Sequence, residues 1–187
     1  LAALRTGDGR PLPPHLRAEL DRLRRRLVLT LGLIREVEAE RDAALAAGPR
    51  DAAGRKIAAL CRLRGVGANF AAVLTREVFY RAFDNRRQLA GYVGLTPVPH
   101  QSGEADRDRR ISRAGNARAR STLIQLAWLW LRYQPDSAPA RWFRDRVGAL
   151  RGRTRRIAIV AMARKLLVAL WRYVETGLAP EGVEVGA

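Results

Sequence analysis

Apolar residues recur at alternating spacings of three and four through Leu16, Leu20, Leu23, Leu27, Ile34 and Val37, with Thr30 the one polar residue in the seam. Flanked by Arg24, Arg26, Glu36 and Glu38, this heptad-like stripe predicts one long helix over about 15–46. It suits packing against another helix or a second copy of the chain. Over so few heptads, an ordinary amphipathic helix lying on a domain has the same pattern. Gly48 and Pro49 stop it, and a second helix is predicted over about 51–63 with Ile57, Leu60 and Leu63 facing inward. The run Leu63-Arg64-Gly65-Val66-Gly67-Ala68 then leads into Phe70, Ala71, Leu74 and Val78 at helical spacing, so two helices meet at a tight bend.

A short helix over about 85–93 carries Leu89 and Tyr92, after which Gly94, Pro97, Pro99 and Gly103 enforce a loop. From Ser102 to Gly115 the chain is polar and arginine-rich with Ile111 its only large apolar residue, the pattern of a loop or a ragged hairpin. The next helix, about 116–133, has Leu123, Leu126, Ala127, Trp130 and Leu131 on one side and Ile124 and Trp128 on another. Only Arg118, Gln125 and Arg132 form a polar strip, so it should be central and mostly buried. Ser137 and Pro139 open a short helix bearing Trp142, Phe143 and Val147, broken by Gly148 and Gly152. The last helix, about 153–176, sets Val160, Ala163, Leu167, Leu170 and Val174 on one face with Lys165 and Arg172 opposite, and ends at Gly177 and Pro180. No segment alternates like a strand. The expected fold is mainly α: residues 1–14 a linker or truncated end, 15–48 a coiled-coil-like helix, 51–178 a compact helical domain with a helix-hairpin-helix turn, and 179–187 a tail.

Charge narrows the partners. Lys and Arg number 35 against 18 Asp and Glu, a formal charge of +17 on 187 residues. Self-repulsion of that size is only a cost unless a polyanion offsets it, which points first to nucleic acid and second to an anionic membrane surface. Lys56 and Lys165 are the only lysines. Arginine suits phosphates and base edges, although biased codon usage produces the same composition. One cysteine, Cys61, excludes a disulfide framework or a cysteine-based zinc module. No apolar run is long enough to span a membrane, and none resembles a signal peptide. The chain opens with Leu1, as a fragment of a longer protein would.

Candidate chemistry is sparse. Gly65 and Gly67 have the form of a helix-hairpin-helix turn, where glycine permits the bend and N–H groups at the following helix start can meet a phosphate; a plain packing turn has the same residues. Arg107, Arg109, Arg110, Arg113, Arg118 and Arg120 form one cationic window, and Arg141, Arg144, Arg146, Arg151, Arg153, Arg155 and Arg156 another. Each suits a phosphate backbone or a plain solvated face. His15 and His100 are far apart, no HExxH or Walker loop occurs, and the acids are scattered, so a metal site within the chain is not expected. Ser102, between Pro99 and Gly103, reads from spacing alone as a turn serine.

Several stretches together resemble a known family. They are Leu63-Arg64-Gly65-Val66-Gly67, Phe83-Asp84, Gln88-Leu89-Ala90-Gly91-Tyr92-Val93-Gly94-Leu95-Thr96-Pro97, Gln101-Ser102-Gly103, Ile111-Ser112-Arg113-Ala114-Gly115-Asn116 and Arg120, and finally Ile157 through Leu167. In this order, across about 55–178, they resemble the C-terminal domain of insertion-sequence-110 type (DEDD) transposases, and the preceding helix resembles the coiled-coil connector of these proteins. Asp106 and Asp108 depart from the more uniformly basic stretch expected there. The resemblance implies a serine nucleophile for DNA strand exchange at Ser102, and nucleic-acid binding through Gly65, Gly67, Arg107, Arg109, Arg110, Arg113, Asn116 and Arg120. It implies DNA and a structured guide RNA as partners, a homo-oligomer formed through the long helix, and a bacterial cytoplasmic, nucleoid-associated location. Magnesium is expected from an N-terminal RuvC-like domain with four acidic residues. That domain is expected to be absent here, the chain being an excised, truncated or decayed half that is inactive in isolation. The alternatives are a non-catalytic helix-hairpin-helix module that binds nucleic acid, and a coiled-coil interaction protein with an incidental basic face.

Overall fold

The computed structural model describes residues 3–96, 101–102, 105–106, 111–112, 114–148 and 151–186, with 101, 102, 105 and 106 described by their backbone. It divides into two compact units, residues 1–47 and 48–187. In the first, Thr6 and Arg10 close a turn around Asp8, with Arg5 bridging to Pro11, so the Gly/Pro-bearing start has local hydrogen-bonded structure. Helix α1 (Pro14–Ala46) begins on Pro14, where a missing N–H costs nothing. None of its residues is buried, and Leu27 and Val37 are 58% and 64% exposed. Val28, Leu29, Leu31 and Leu33 are also exposed, so the apolar surface of α1 is broader than the seam read from the pattern.

The second unit is built from α2 (Ala52–Cys61), α3 (Ala68–Leu74), a π-helical stretch (Thr75–Phe79), α4 (Arg86–Val93), a short antiparallel pair β1 (Gln101–Ser102) and β2 (Ala105–Asp106), α5 (Ala117–Tyr133), α6 (Ala138–Val147) and α7 (Arg153–Thr176). Asp51, Asn85 and Asn116 each accept hydrogen bonds from backbone N–H groups at the starts of α2, α4 and α5, as short polar side chains do at N-caps. The core lies where α5 and α7 pack together, with α6 against α7, and α2 and α3 closing the other side. Trp130, Leu123 and Leu126 of α5 meet Met162, Leu166, Leu167 and Leu170 of α7 in fully buried positions. Among the described residues no helix is long and apolar enough to cross a membrane.

Three features differ from the sequence pattern. The second helix ends at Cys61, two residues early, because Leu63 turns into the core and its backbone pairs with Val185. The C-terminal tail is therefore docked: Arg64 N–H donates to Glu184 O, and Gly186 N–H to Arg62 O at 2.7 Å. Gln134, 1% exposed, joins the two segments by donating from Nε2 to Arg64 O and Glu184 O and accepting from Glu184 N–H. The buried stripe of α7 keeps Ala163, Leu167 and Leu170 of the expected one but is wider, taking in Ile159, Met162, Leu166 and Tyr173. Val160 and Val174 sit at its margin. Finally, α5 is buried on one side only, since Trp128 is 38% exposed.

Candidate nucleic-acid interface

The segment carrying Ser102 runs between α4 and α5 in the chain, so those two helix ends set the base of this excursion. Gly94 ends α4 in the left-handed conformation, φ +73°, which glycine adopts without a Cβ clash. Just beyond it, Ser112 N–H donates to Thr96 O at 2.7 Å and Asn116 N–H to Tyr92 O at 2.9 Å, so the outgoing and returning strands are tied where the excursion begins. The backbones approach so closely that a Cβ on Gly115 would lie 2.7 Å from Gly94 N and 2.8 Å from Tyr92 O. One on Gly94 would lie 2.6 Å from both Ser112 O and Arg120 Nη1. Both glycines belong to the motif stretches, and here their role is steric.

Within the excursion, the backbone of Ser102 pairs with Ala105 and that of Gln101 with Asp106 in a two-residue antiparallel ladder. Arg107, Arg109, Arg110 and Arg113 lie outside the described residues. Asn116 and Arg120 are within them. Asn116 Oδ1 accepts from Ala119 N–H, and its Nδ2 donates to Glu77 Oε2 at 2.8 Å. Arg120 is half-buried and donates from Nη1 to Val93 O at 3.1 Å, meeting one of the carbonyls left over at the end of α4. Arg118 reaches Glu77 Oε1 at 3.3 Å. These contacts fix the start of α5. Glu77 was not identifiable from the sequence, where an acid in Thr75-Arg76-Glu77-Val78 looks like any solvated helix position.

Gly65 and Gly67 differ in what they do. Gly65 has φ +88°, and a Cβ there would lie 2.8 Å from Tyr133 Cβ, so glycine is required by both backbone and packing. Gly67 is the exposed N-cap of α3 in an extended conformation, open on every side and without a side-chain cap for the helix. Arg64, beside the turn, pairs with Glu184, and the carboxylate's hydrogen bond and charge raise its pKa further above the ordinary arginine value.

The second arginine window divides. Arg155 stacks on Trp128, its guanidinium carbon 5.2 Å from the ring centroid. Arg153 and Arg156 instead join Arg86, Arg164, Lys165 and Arg172 around an open groove of about 1470 Å³ along α7. Its floor is apolar, formed by Ile157, Val160, Ala161 and Val168, and Trp142 of α6 stands at its side with Lys165 Nζ 4.6 Å from the ring centroid. No acidic residue is among its described lining. Nor does any group of three or more His, Cys, Asp or Glu among the described residues have the placement to hold a metal. The described acids do not form a site for the magnesium that the resemblance implies.

A model of the IS116/IS110/IS902 transposase family matches residues 57–142, the stretch from α2 to α6 that includes the excursion and its base. Over 189 aligned residues the chain is 53% identical to a Sinorhizobium fredii protein named "Putative transposase y4rJ", covering 97% of this chain and 48% of that relative. A second protein of that organism, "Putative transposase y4qE", is 37% identical over 89 residues, 47% of this chain and 23% of its own length. The chain thus spans about half the length of the first of these relatives and about a quarter of the second.

Proposed function

Since this chain belongs to the IS116/IS110/IS902 family of transposases, we propose that it is the part of a DNA transposase that binds nucleic acid and presents Ser102 as the nucleophile for strand exchange. Support comes from the tethered excursion within the family match. Its two ends are tied between Thr96 and Ser112, at a base where Gly94 and Gly115 let the backbones touch and Arg120 holds the end of α4. A serine on such a segment is carried between two helix ends that backbone hydrogen bonds hold together.

In the proposed reaction Ser102 Oγ attacks a DNA phosphorus. A new Oγ–P bond forms, one P–O bond of the phosphodiester breaks, and the serine's hydroxyl proton is passed on to the departing strand oxygen, which is left as a free hydroxyl end. Attack by that or another strand hydroxyl reverses the step and releases the serine. A serine hydroxyl is a weak nucleophile at neutral pH and needs activation. Arg107, Arg109, Arg110 and Arg113 would stabilise the charge that develops on the phosphate, while Gly65 and Gly67 would form a helix-hairpin-helix contact to the backbone. Magnesium is assigned to another portion of the full-length protein. A structured guide RNA, a homo-oligomer formed through α1 and a bacterial nucleoid location complete the proposal.

The test uses the full-length protein with magnesium and its DNA ends. DNA should remain attached to the protein under denaturing conditions, and Ser102→Ala should abolish both that adduct and strand exchange while nucleic-acid binding persists. Normal recombination by the alanine protein would overturn the assignment and leave a binding module without chemistry.

A further inference from the structure

Ser102 and its arginines account for none of the surface along the outer side of α7. Arg153, Arg156, Arg164, Lys165 and Arg172 lie on one helix, and Arg86 faces them from α4. From Arg153 to Arg172 the helix rises about 28 Å, a length that matches roughly eight stacked nucleotides at 3.4 Å per phosphate of one strand. The groove exceeds the roughly 300–1,000 Å³ of small-ligand pockets, so a polymer suits it better than a metabolite.

Charge alone would fit any polyanion, but the floor adds a second requirement. Ile157, 60% exposed, leads a strip with Val160, Ala161 and Val168 between the cations, and Trp142 flanks it. A duplex presents phosphates and sugars to a surface and would leave that strip wet. An unpaired strand presents base faces, which an apolar floor and an aromatic ring receive while the cations follow its backbone. We infer that the α7 groove holds an unpaired DNA strand, a sequence-tolerant track separate from the hairpin that bears Ser102. The inference rests on the transposition reading to the extent that strand exchange must unpair DNA. It adds where the unpaired strand runs.

The experiment uses the whole chain and a fluorescein-labelled oligothymidylate of about twelve nucleotides, within the range of single-strand binding sites. Binding anisotropy is measured across a salt series for the wild type, for Arg156→Ala with Arg172→Ala, for Trp142→Leu, and for Arg76→Ala with Arg132→Ala as a control outside the groove. The groove double variant should bind at least about ten-fold more weakly, and its log–log salt slope should be shallower by about 1.4, or 0.7 for each lost phosphate contact. Trp142→Leu should lose about five-fold or more with the slope unchanged, since stacking releases no counterions. Melting curves establish that each variant is folded, and Leu keeps the Trp142 site apolar.

Groove variants that behave like the control would overturn the inference while leaving the family reading intact. So would tighter binding of a duplex, or of an oligouridylate, affected equally by the groove substitutions; those results would assign the groove to duplex DNA or to RNA. A wild-type chain that binds no nucleic acid would overturn this inference and the nucleic-acid reading together.

Discussion

Asn116 Nδ2 donates to Glu77 Oε2 at 2.8 Å, joining residues 39 apart in sequence: the cap of α5 and the π-helical stretch that follows α3. The remaining carboxylate oxygen pairs with Arg118, so one half-buried acid holds the first turn of the helix from which the Ser102 excursion is suspended. A π-helical stretch distorts an otherwise continuous helix, and such distortions often sit at functional sites.

Glu77→Ala should therefore destabilise the second unit by about 1.5–3 kcal/mol, the range for a hydrogen bond to a charged group. Melting should drop by several degrees, with Glu77→Gln between it and the wild type because an acceptor for Asn116 is kept. In the full-length protein the same change should slow strand exchange more than it weakens DNA binding, as expected of a residue that positions the base of the excursion. Unaltered melting of the alanine variant would show that the contact carries no stability.

The two glycines of the α2–α3 turn make opposite predictions. At Gly65 a methyl group meets Tyr133 and a φ of +88°, so Gly65→Ala should cost more than about 2 kcal/mol, strain and overlap adding. At Gly67 the backbone is ordinary and the space open, so Gly67→Ala should change stability by less than about 1 kcal/mol, the usual cost of losing a glycine N-cap being small. Chemical denaturation of the two variants separates them. Equal losses would mean that Gly67 also has a packing role.

The helices were legible because their signals are local. Asn85 and Asn116 precede their helices by one position, Gly94 and Gly177 follow them, and α7 starts and stops where the pattern places it. What was not legible depends on partners distant in sequence. In the stripe of α7, Ala163, Leu167 and Leu170 were legible, but Val160 and Ile159 are equally apolar, and only packing against neighbouring helices decides that Ile159 turns inward. The groove was not legible either, since it needs Arg86 from another helix beside Lys165 and Arg172. The Ser102 segment was legible as a loop or ragged hairpin, but the Thr96–Ser112 tie at its base is a backbone bond that no residue type signals.

Gln134 carries no signal in the sequence, because a glutamine at the end of a helix reads as solvated. Here it makes three hydrogen bonds to main-chain groups of the α2–α3 turn and the C-terminal tail. Gln134→Leu keeps the volume but leaves Arg64 O with no amide donor from that side chain and Glu184 N–H without its acceptor. Each orphaned group costs about 1–3 kcal/mol. The variant should melt well below the wild type, and hydrogen exchange should speed up at Arg64, Glu184 and Gly186 before the α5–α7 core is affected. Exchange that rises uniformly across the unit would show instead that the tail and core open together.

The last prediction concerns α1. Leu16, Leu23, Leu27, Ile34 and Val37 are all at least 40% exposed, and Val28, Leu29, Leu31 and Leu33 widen the apolar surface around the seam. These side chains are 40–64% exposed, so sealing each in a helical interface contributes about half of the roughly 1.5–3 kcal/mol of a full burial, and several pairs together offset the cost of bringing two chains together. The heptad spacing favours a second copy of α1, and the chain should sediment as an oligomer that dissociates on dilution. Leu27→Glu with Ile34→Glu places like charges in the seam one heptad apart and should yield a monomer. The melting of residues 48–187 should be unchanged, because both substitutions lie in the other compact unit. A wild-type chain that remains monomeric at high concentration would remove α1 as an oligomerisation element, and an oligomer that survives both glutamates would place the interface elsewhere.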